Sequence, residues 1–482
     1  MASEHFDVLI VGAGLSGIGA AYHLQKECPN KSYAIIERRQ AIGGTWDLFR
    51  YPGIRSDSDM FTLGYNFKPW TNPKAIADGP SIRKYVQETA RENGIDKKIR
   101  YGLRVRTASW SSKTATWTVE AEREPSGEVV EFTCNFLQMC SGYYNYDKGY
   151  TPEFAGIENY KGQVVHPQKW TQDIDYANKK VVIIGSGATA VTLLPAMTDK
   201  AAHVTMLQRS PTYVISVPEQ DIISNKLRRF LPEKIVYRLA RTRNVGLTMM
   251  FYNLSREKPK LVRRFLLGQI RRQLGKDYDM THFSPKYNPW DERVCAVPNG
   301  DLFKVIRQGK ASVVTDHIDH FTEHGILLKS GKELEADMVV TATGLNLQMF
   351  GGMAVTVDGK AIEIGKTMNY KGAMFRDVPN LAMTFGYTNA SWTLKADLTS
   401  EFVCRLLNTM DKKGLKQCTP RNSDPSVVEE SFLNLASGYI QRAAANLPKQ
   451  GNKSPWKLYQ NYALDMAMLR FGSVDDGVMV FS

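Results

Sequence analysis

Cysteine is scarce in this chain: six residues in 482, Cys28, Cys134, Cys140, Cys295, Cys404 and Cys418. No two stand in a CxxC spacing, which argues against a structural zinc site or a redox dithiol and fits reduced thiols in a cytoplasmic setting. Long apolar runs are missing too, since no stretch approaches the roughly 20 uninterrupted apolar residues of a membrane-spanning helix. Residues 1–5 carry no basic cluster and lead straight into an apolar run with no small-residue cleavage site, so no secretory leader is expected. What remains is an ordinary globular composition, 43% hydrophobic and 23% charged, over a length that predicts two or three domains.

Acidic residues are in deficit: the net charge is +13. Such an excess suits phosphate-bearing ligands, nucleic acid or an anionic membrane surface, and the total does not choose among them. Its placement is more telling. Between Lys226 and Lys276, the arginines 228, 229, 238, 241, 243, 263, 264, 271 and 272 interleave with Leu, Phe, Ile and Met at helical spacing. This predicts a basic amphipathic helical insert, either a subdomain with a solvated basic face or a patch that meets a membrane surface or a partner.

Residues 6–11, Phe-Asp-Val-Leu-Ile-Val, read as a buried strand and run directly into Gly12-Ala13-Gly14-Leu15-Ser16-Gly17. A helical pattern follows to about Lys26, and a second strand ends at Glu37, about 20 residues after the last glycine. Strand, glycines, helix, strand and acid together make a dinucleotide-binding βαβ unit. Gly12 serves the tight turn, Gly14 the approach of backbone to pyrophosphate, and Gly17 the close packing of helix on strand, while the helix start offers N–H groups to phosphate. Glu37 would accept from a ribose diol and repel a 2'-phosphate, which favours FAD or NAD at this first site.

The same grammar recurs after residues 179–184, in Gly185-Ser186-Gly187-Ala188-Thr189-Ala190, with a helix to about Met197 and a strand ending in Gln208-Arg209-Ser210. The acid is absent here. Arg209 takes its place, a guanidinium suited to a 2'-phosphate, so the second site reads as selective for NADPH; otherwise Arg209 is a surface charge. Two more strands, residues 136–142 and 337–344, each end in a small-residue turn and predict that the chain leaves the first unit near Gly142 and returns near Gly344. Between the fingerprints, alternation around Trp110, Trp117 and Val129 predicts an antiparallel hairpin or meander. Residues 386–391 form a polar loop opening a long helix from Trp392, which would suit the pyrimidine side of a flavin.

Two stretches carry a family likeness. Residues 43–57 run Gly-Gly-Thr-Trp-Asp-Leu-Phe-Arg-Tyr-Pro-Gly-Ile-Arg-Ser-Asp, and residues 160–171 carry Tyr160, Gly162, His166, Trp170 and Thr171 at the spacing Phe-x-Gly-x-x-x-His-x-x-x-Trp-Pro/Asp. The chain thereby resembles the type I Baeyer-Villiger monooxygenases, most of all the branch that activates thioamide prodrugs such as ethionamide. Tyr160 stands for Phe and keeps the ring, whereas Thr171 departs from Pro or Asp. The likeness continues through residues 141–146, 288–301 and 386–398 and so covers essentially the whole chain.

The resemblance implies an α/β fold of two Rossmann-like dinucleotide-binding domains, the second inserted in the first. FAD would belong to residues 1–145 and 345–482, NADPH to 146–220 and 291–344, and the helical insertion to 221–290. It implies conversion of ketones to esters or lactones by way of a C4a-peroxyflavin, with oxygenation of sulfides or thioamides as a side activity. The partners would be O2 and a small apolar ketone or sulfide, not nucleic acid, with a peripheral membrane contact open to the basic insert. By position, Arg293 would be the catalytic cation and Asp57 the carboxylate that orients it. Ser16, Glu37, Gly44, Thr45, Trp46, Asp47, Leu48, Asp57 and Val105 would meet FAD, and Arg55, Ser56, residues 185 to Val191, Arg209 and Ser210 would meet NADPH. His166, just before a domain linker, reads as an anchor of that linker rather than a general base. A flavin N- or S-hydroxylating monooxygenase shares both nucleotide sites, and a silent flavoprotein docking through its basic insert stays open. A pyridine nucleotide-disulfide oxidoreductase would need a dithiol that the cysteines do not supply.

Overall fold

The computed structural model describes residues 3–433 and 437–482. β1 (Glu4–Val11), α1 (Leu15–Glu27) and β2 (Tyr33–Glu37) form the first βαβ unit. Val8, Leu9 and Ile10 are fully buried, as a central parallel strand covered on both faces requires. Short helices α2 (Thr45–Leu48) and α3 (Met60–Leu63) and the longer α4 (Gly79–Glu92) follow. Strand β3 (Ile99–Tyr101) extends the sheet beside β2. Of the expected hairpin or meander, the chain forms the meander: β4 (Leu103–Ser111), β5 (Thr116–Arg123) and β6 (Val129–Met139), antiparallel throughout, with Trp110 and Trp117 packed at 5.5 Å in its core. β6 then runs parallel to β1 and joins the meander to the βαβ unit.

The second unit is built around another sheet. β7 (Gln163–Val165), β8 (Lys180–Ile184), α5 (Ala188–Met197) and β9 (His203–Gln208) come first, followed by β10 (Val214–Val217). α6 (Ile222–Leu227), α7 (Glu233–Glu257) and α8 (Pro259–Leu274) then precede β11 (Cys295–Pro298), which pairs parallel with β10. The helical insert thus leaves and re-enters through one two-stranded seam. α9 (Asp301–Arg307), β12 (Ala311–Thr315), a small antiparallel group β13 (Ile318–Phe321), β14 (Gly325–Leu328) and β15 (Glu333–Glu335), and β16 (Met338–Thr341) complete the unit. Its sheet has the order β12-β9-β8-β16-β7, parallel at every pairing.

The chain then returns to the first sheet, where β17 (Ala354–Val357) pairs with β4 and a short strand, Leu381–Met383, pairs with β6. The two crossings lie side by side. Tyr144 and Leu347 form an antiparallel bridge, Asn145 N–H donates to Asn346 O at 2.8 Å, and Tyr150 N–H donates to Gly344 O at 3.0 Å. α10 (Trp392–Lys413) packs along α1, where buried His23 bonds both Glu27 and Asp397.

One expectation needs correcting. The arginines of the insert do not form a single solvated face. Arg241 is turned inward, donating to the carbonyls of Phe61, Thr62 and Gly64 and pairing with Asp397. Arg228 caps the carbonyls of Trp70 and Asn72, and Arg263 donates to Tyr213 and Pro285. These three dock the insert, because a buried carbonyl left without a donor costs more than holding a paired guanidinium beside it.

Candidate active site

Two glycine turns meet the same steric demand at the ends of two parallel strands. Gly12 follows β1 with φ +107°, and a Cβ there would lie 2.5 Å from the Cys140 carbonyl oxygen; Gly185 follows β8 with φ +136°, and a Cβ would lie 2.4 Å from that of Ala342. Only glycine fits either place. α1 then starts after Gly14 and α5 after Gly187, and neither helix has a capping side chain or an acid in its first turn. The leading N–H groups of both are left to an anion, which the helix dipole also favours.

Both helix starts open on one cavity of about 360 Å³. Gly12, Gly14, Ser16 and Glu37 line it from the first unit, and Ala188, Thr189 and Thr192 from the second. Gly44, Thr45 and Trp46 close in over Gly14, and Val105 of β4 also reaches the space. Glu37 accepts from the N–H groups of Ala13 at 2.7 Å and Arg39 at 2.8 Å, while burial pushes its carboxyl above the usual range. Uncapped helix starts, glycine cradles and a buried acceptor at the strand end are the donor set a dinucleotide requires, so these residues fit one.

Several expected contacts point elsewhere. The Asp47 carboxylate is taken by Arg39, Arg50 and Arg83, and Leu48 packs into the second unit's core, so neither side chain lines the cavity. Gly17 lies behind the turn, where a Cβ would fall 1.8 Å from the Gly12 carbonyl oxygen, and so serves the close helix-on-strand packing expected of it rather than a ligand contact. Ala190 and Val191 face the core of the second unit, and the Val191 N–H already bonds Gly187 O. Arg55 and Ser56 do line the cavity, but the Arg55 guanidinium is bound to Asp301 at the start of α9. Arg209 and Ser210 are exposed and stand beside the second turn, where Ser186 Oγ donates to Ser210 O at 3.1 Å. Gln208, at the position of the missing acid, is buried and spends its amide on His282 O and Thr315. The Arg209 charge acts on the Glu292 carboxyl, but among the described residues it closes to no direct ion pair.

Arg293, in the loop before β11, brings its guanidinium to 3.8 Å from the Asp57 carboxylate, and both line the cavity. Burial would lower the guanidinium, but Asp57 and the phenols of Tyr143, Tyr439 and Tyr144 hold it above its ordinary value. Its 40% side-chain exposure is surface turned toward this cavity. A fixed cation, held by a carboxylate in a walled space, can stabilise a developing oxyanion.

His166 lies outside the cavity, on the crossings. Its Nδ1 accepts from Gln168 N–H at 3.2 Å, which leaves Nε2 to donate to Gly344 O, also at 3.2 Å. Its ring fills the space above Gly149, and burial lowers its pKa, keeping it neutral. Trp170 is buried in the second core, and Gly162 admits the Tyr160 phenol, which donates to Ala336 O at 2.8 Å. The hydroxyl that Phe lacks thus has a partner, and exposed Thr171 bonds Asp173 at the surface.

Trp392, where the polar loop opens its helix, was expected at the pocket, whereas Tyr143 was not foreseen. Tyr143 stacks on Trp392 at 5.1 Å, and the Trp392 indole N–H donates to Ser16 Oγ at 2.8 Å. Beyond Tyr387, which the loop at 386–391 did suggest, lies a buried network: the Tyr387 hydroxyl donates to Asp465 at 2.7 Å, and Lys395 pairs with the same carboxylate at 3.1 Å. All six cysteines are free and buried. Among the described residues no cluster of His, Cys, Asp and Glu could hold a metal.

Two βαβ units of dinucleotide-binding type thus flank one cavity, with a guanidinium on its wall. Residues 73–372 match the family described as Flavin-binding monooxygenase-like, and residues 10–72 match the NAD(P)-binding Rossmann-like domain. The FAD-containing monooxygenase EthA of Mycolicibacterium smegmatis is 54% identical, over 100% of this chain and 98% of its own length. Oxidized steroid monooxygenase bound to NADP superposes with a TM-score of 0.78 at 21% identity, covering 99% of each chain. Cyclohexanone monooxygenase with bound ε-caprolactone gives 0.76 at 17% identity, covering 100% of each. The chain belongs to the flavin-binding monooxygenase-like family.

Proposed function

We propose that this protein is an NADPH-dependent Baeyer-Villiger monooxygenase that holds FAD, converts ketones to esters or lactones, and oxygenates sulfides or thioamides as a side activity. The observation that carries the reading is the Arg293 guanidinium set 3.8 Å from Asp57 on a cavity reached by the uncapped starts of both α1 and α5. A relative named as an FAD-containing monooxygenase, and neighbours bound to NADP or a lactone, support the cofactors and the reaction class.

In this reading Gly12, Gly14 and the start of α1 hold the FAD pyrophosphate, Glu37 accepts from its ribose, and Ser16, Thr45, Trp46 and Val105 line the remainder. The turn at 185–189 holds the NADPH pyrophosphate, and Arg209 with Ser210 takes the 2'-phosphate. Residues 1–145 and 345–482 form the FAD unit, 146–220 and 291–344 the NADPH unit, and 221–290 the insert. FAD reduced by NADPH supplies the electrons that activate O2. Arg293 keeps its charge at any working pH and faces the carbonyl oxygen of the substrate as negative charge gathers there. Asp57 fixes its direction. The aromatic wall of Trp46, Tyr51, Tyr143 and Trp392 keeps water from the reacting atoms. Neutral His166 ties the two crossings together and couples nucleotide binding to movement of the second unit.

The test is turnover of a linear methyl ketone by the FAD-loaded enzyme with NADPH under 18O2. An ester carrying one labelled oxygen is expected. Sulfoxides or hydroxylamines from other substrates, with no ester from any ketone, would hand the site to the N- or S-hydroxylating reading.

A further inference from the structure

The outer face of the helical insert is more apolar than a solvated surface requires. Ile222 and Ile223 of α6, Phe230 and Leu231 in the turn behind it, and Ile235 and Leu239 of α7 are all exposed, Phe230 by 82%. Single exposed leucines are ordinary, but six such residues packed into positions 222–239 make a patch. On α7, residues four apart share a face, so Ile235 and Leu239 form one row and the exposed Lys234 and Arg238 the next. Lys226 and Arg229, also exposed, add two more cations within the same stretch of 18 residues.

The acids of the same segment are all engaged: Glu219 pairs with Lys74 at 2.7 Å, Glu233 with Arg228 at 3.1 Å, and Asp221 with Arg243. Lys226, Arg229, Lys234 and Arg238 make no ion pair among the described residues. The face therefore presents net positive charge around exposed hydrocarbon. An anionic lipid surface complements both features, since headgroups meet the cations while the side chains enter the acyl boundary. A second copy of this chain meeting the same face would set the four cations against themselves. Among the described residues no helix is long and apolar enough to cross a membrane, so the contact would lie in the interfacial plane.

We propose that the outer face of α6 and α7 docks this protein on membranes that carry anionic lipid. The inner face of α7 fixes the docked surface to the body of the enzyme. Tyr237 donates to Tyr65 O at 2.9 Å, Arg241 holds three carbonyls of the α3 region, and Leu63 of α3 lines the cavity.

The experiment is co-sedimentation of the full-length protein with vesicles of phosphatidylcholine alone and of phosphatidylcholine mixed with phosphatidylglycerol, at low and high salt. Binding to the mixed vesicles only, weakened by salt, is expected. Changing Lys226, Arg229, Lys234 and Arg238 together to Glu should weaken it on the order of a hundredfold or more. Phe230→Ser should weaken it about tenfold. Both variants alter exposed positions, and an unchanged melting temperature checks that they fold. Equal binding to both vesicle types, no binding, or variants that bind like the wild type would overturn the proposal. A dimer in sedimentation velocity that Phe230→Ser abolishes would assign the face to a second copy instead.

Discussion

Removing the cation at 293 is the sharpest perturbation the site offers. At 3.8 Å, unit charges on Arg293 and Asp57 attract by about 4 kcal/mol at an effective dielectric of about 20, a figure that solvent reaching the 40% exposed guanidinium reduces. An oxyanion growing on a substrate carbonyl would meet the same field. Deleting one positioned donor of this kind costs about 100- to 1000-fold in kcat, or about 2.7–4 kcal/mol. Arg293→Ala should therefore cut ester formation on the order of a hundredfold while NADPH oxidation continues and its electrons appear as hydrogen peroxide. The assay runs both readouts on one sample, ester by mass spectrometry and NADPH by absorbance. Arg293→Lys restores a point charge without the planar fork and should recover part of the loss. Asp57→Asn should fall between, because the cation stays but loses its guide. Ester formation within about threefold of wild type in Arg293→Ala would refute the reasoning, at the scale set by positioned donors. So would NADPH oxidation that falls in step with the ester.

Three further outcomes separate the parts of the molecule. Arg209→Ala should raise KM for NADPH while leaving KM for NADH nearly unchanged; an equal rise for both would contradict a 2'-phosphate contact. Gly12→Ala forces a Cβ to 2.5 Å from Cys140 O and should yield protein without bound FAD, whereas Gly185→Ala, at 2.4 Å from Ala342 O, should stay yellow but accept hydride poorly from NADPH. His23 supplies a pH test: burial alone would lower it, but Asp397 and Glu27 raise it from 6.5 to about 9. Because the folded value is the higher one, its contribution, of order 3 kcal/mol, is whole below pH 6.5 and drains away as pH climbs through about 9. Melting temperature should decline over that window in the wild type and decline less in His23→Gln.

Much of the fold shows in local pattern because parallel strands buried on both faces leave continuous apolar runs. Residues 8–11 and 181–184 do so, and each run meets a glycine turn that few other conformations would tolerate. The crossings near Gly142 and Gly344 were readable for the same reason. Arg293 was not, since nothing within its own stretch distinguishes it from a surface charge, and only the resemblance marked it. Tertiary burial of charge has no local signature either. Arg241 reads as one more basic residue on an amphipathic helix, yet it satisfies three carbonyls of the α3 region. Asp47 reads as a ligand contact, yet three arginines converge on it from separate segments. The Lys395–Asp465 pair spans 70 positions of sequence between two helices, beyond any periodicity argument.

The adjacency of Tyr144 and Leu347 has an evolutionary reading. Paired antiparallel segments lie only about 5 Å apart, so a short turn could join them and close the outer unit without stretching it. A nucleotide module spliced into an ancestral hairpin at this seam would have disturbed little around it, and the same seam offers a cut point for exchanging that module between homologues.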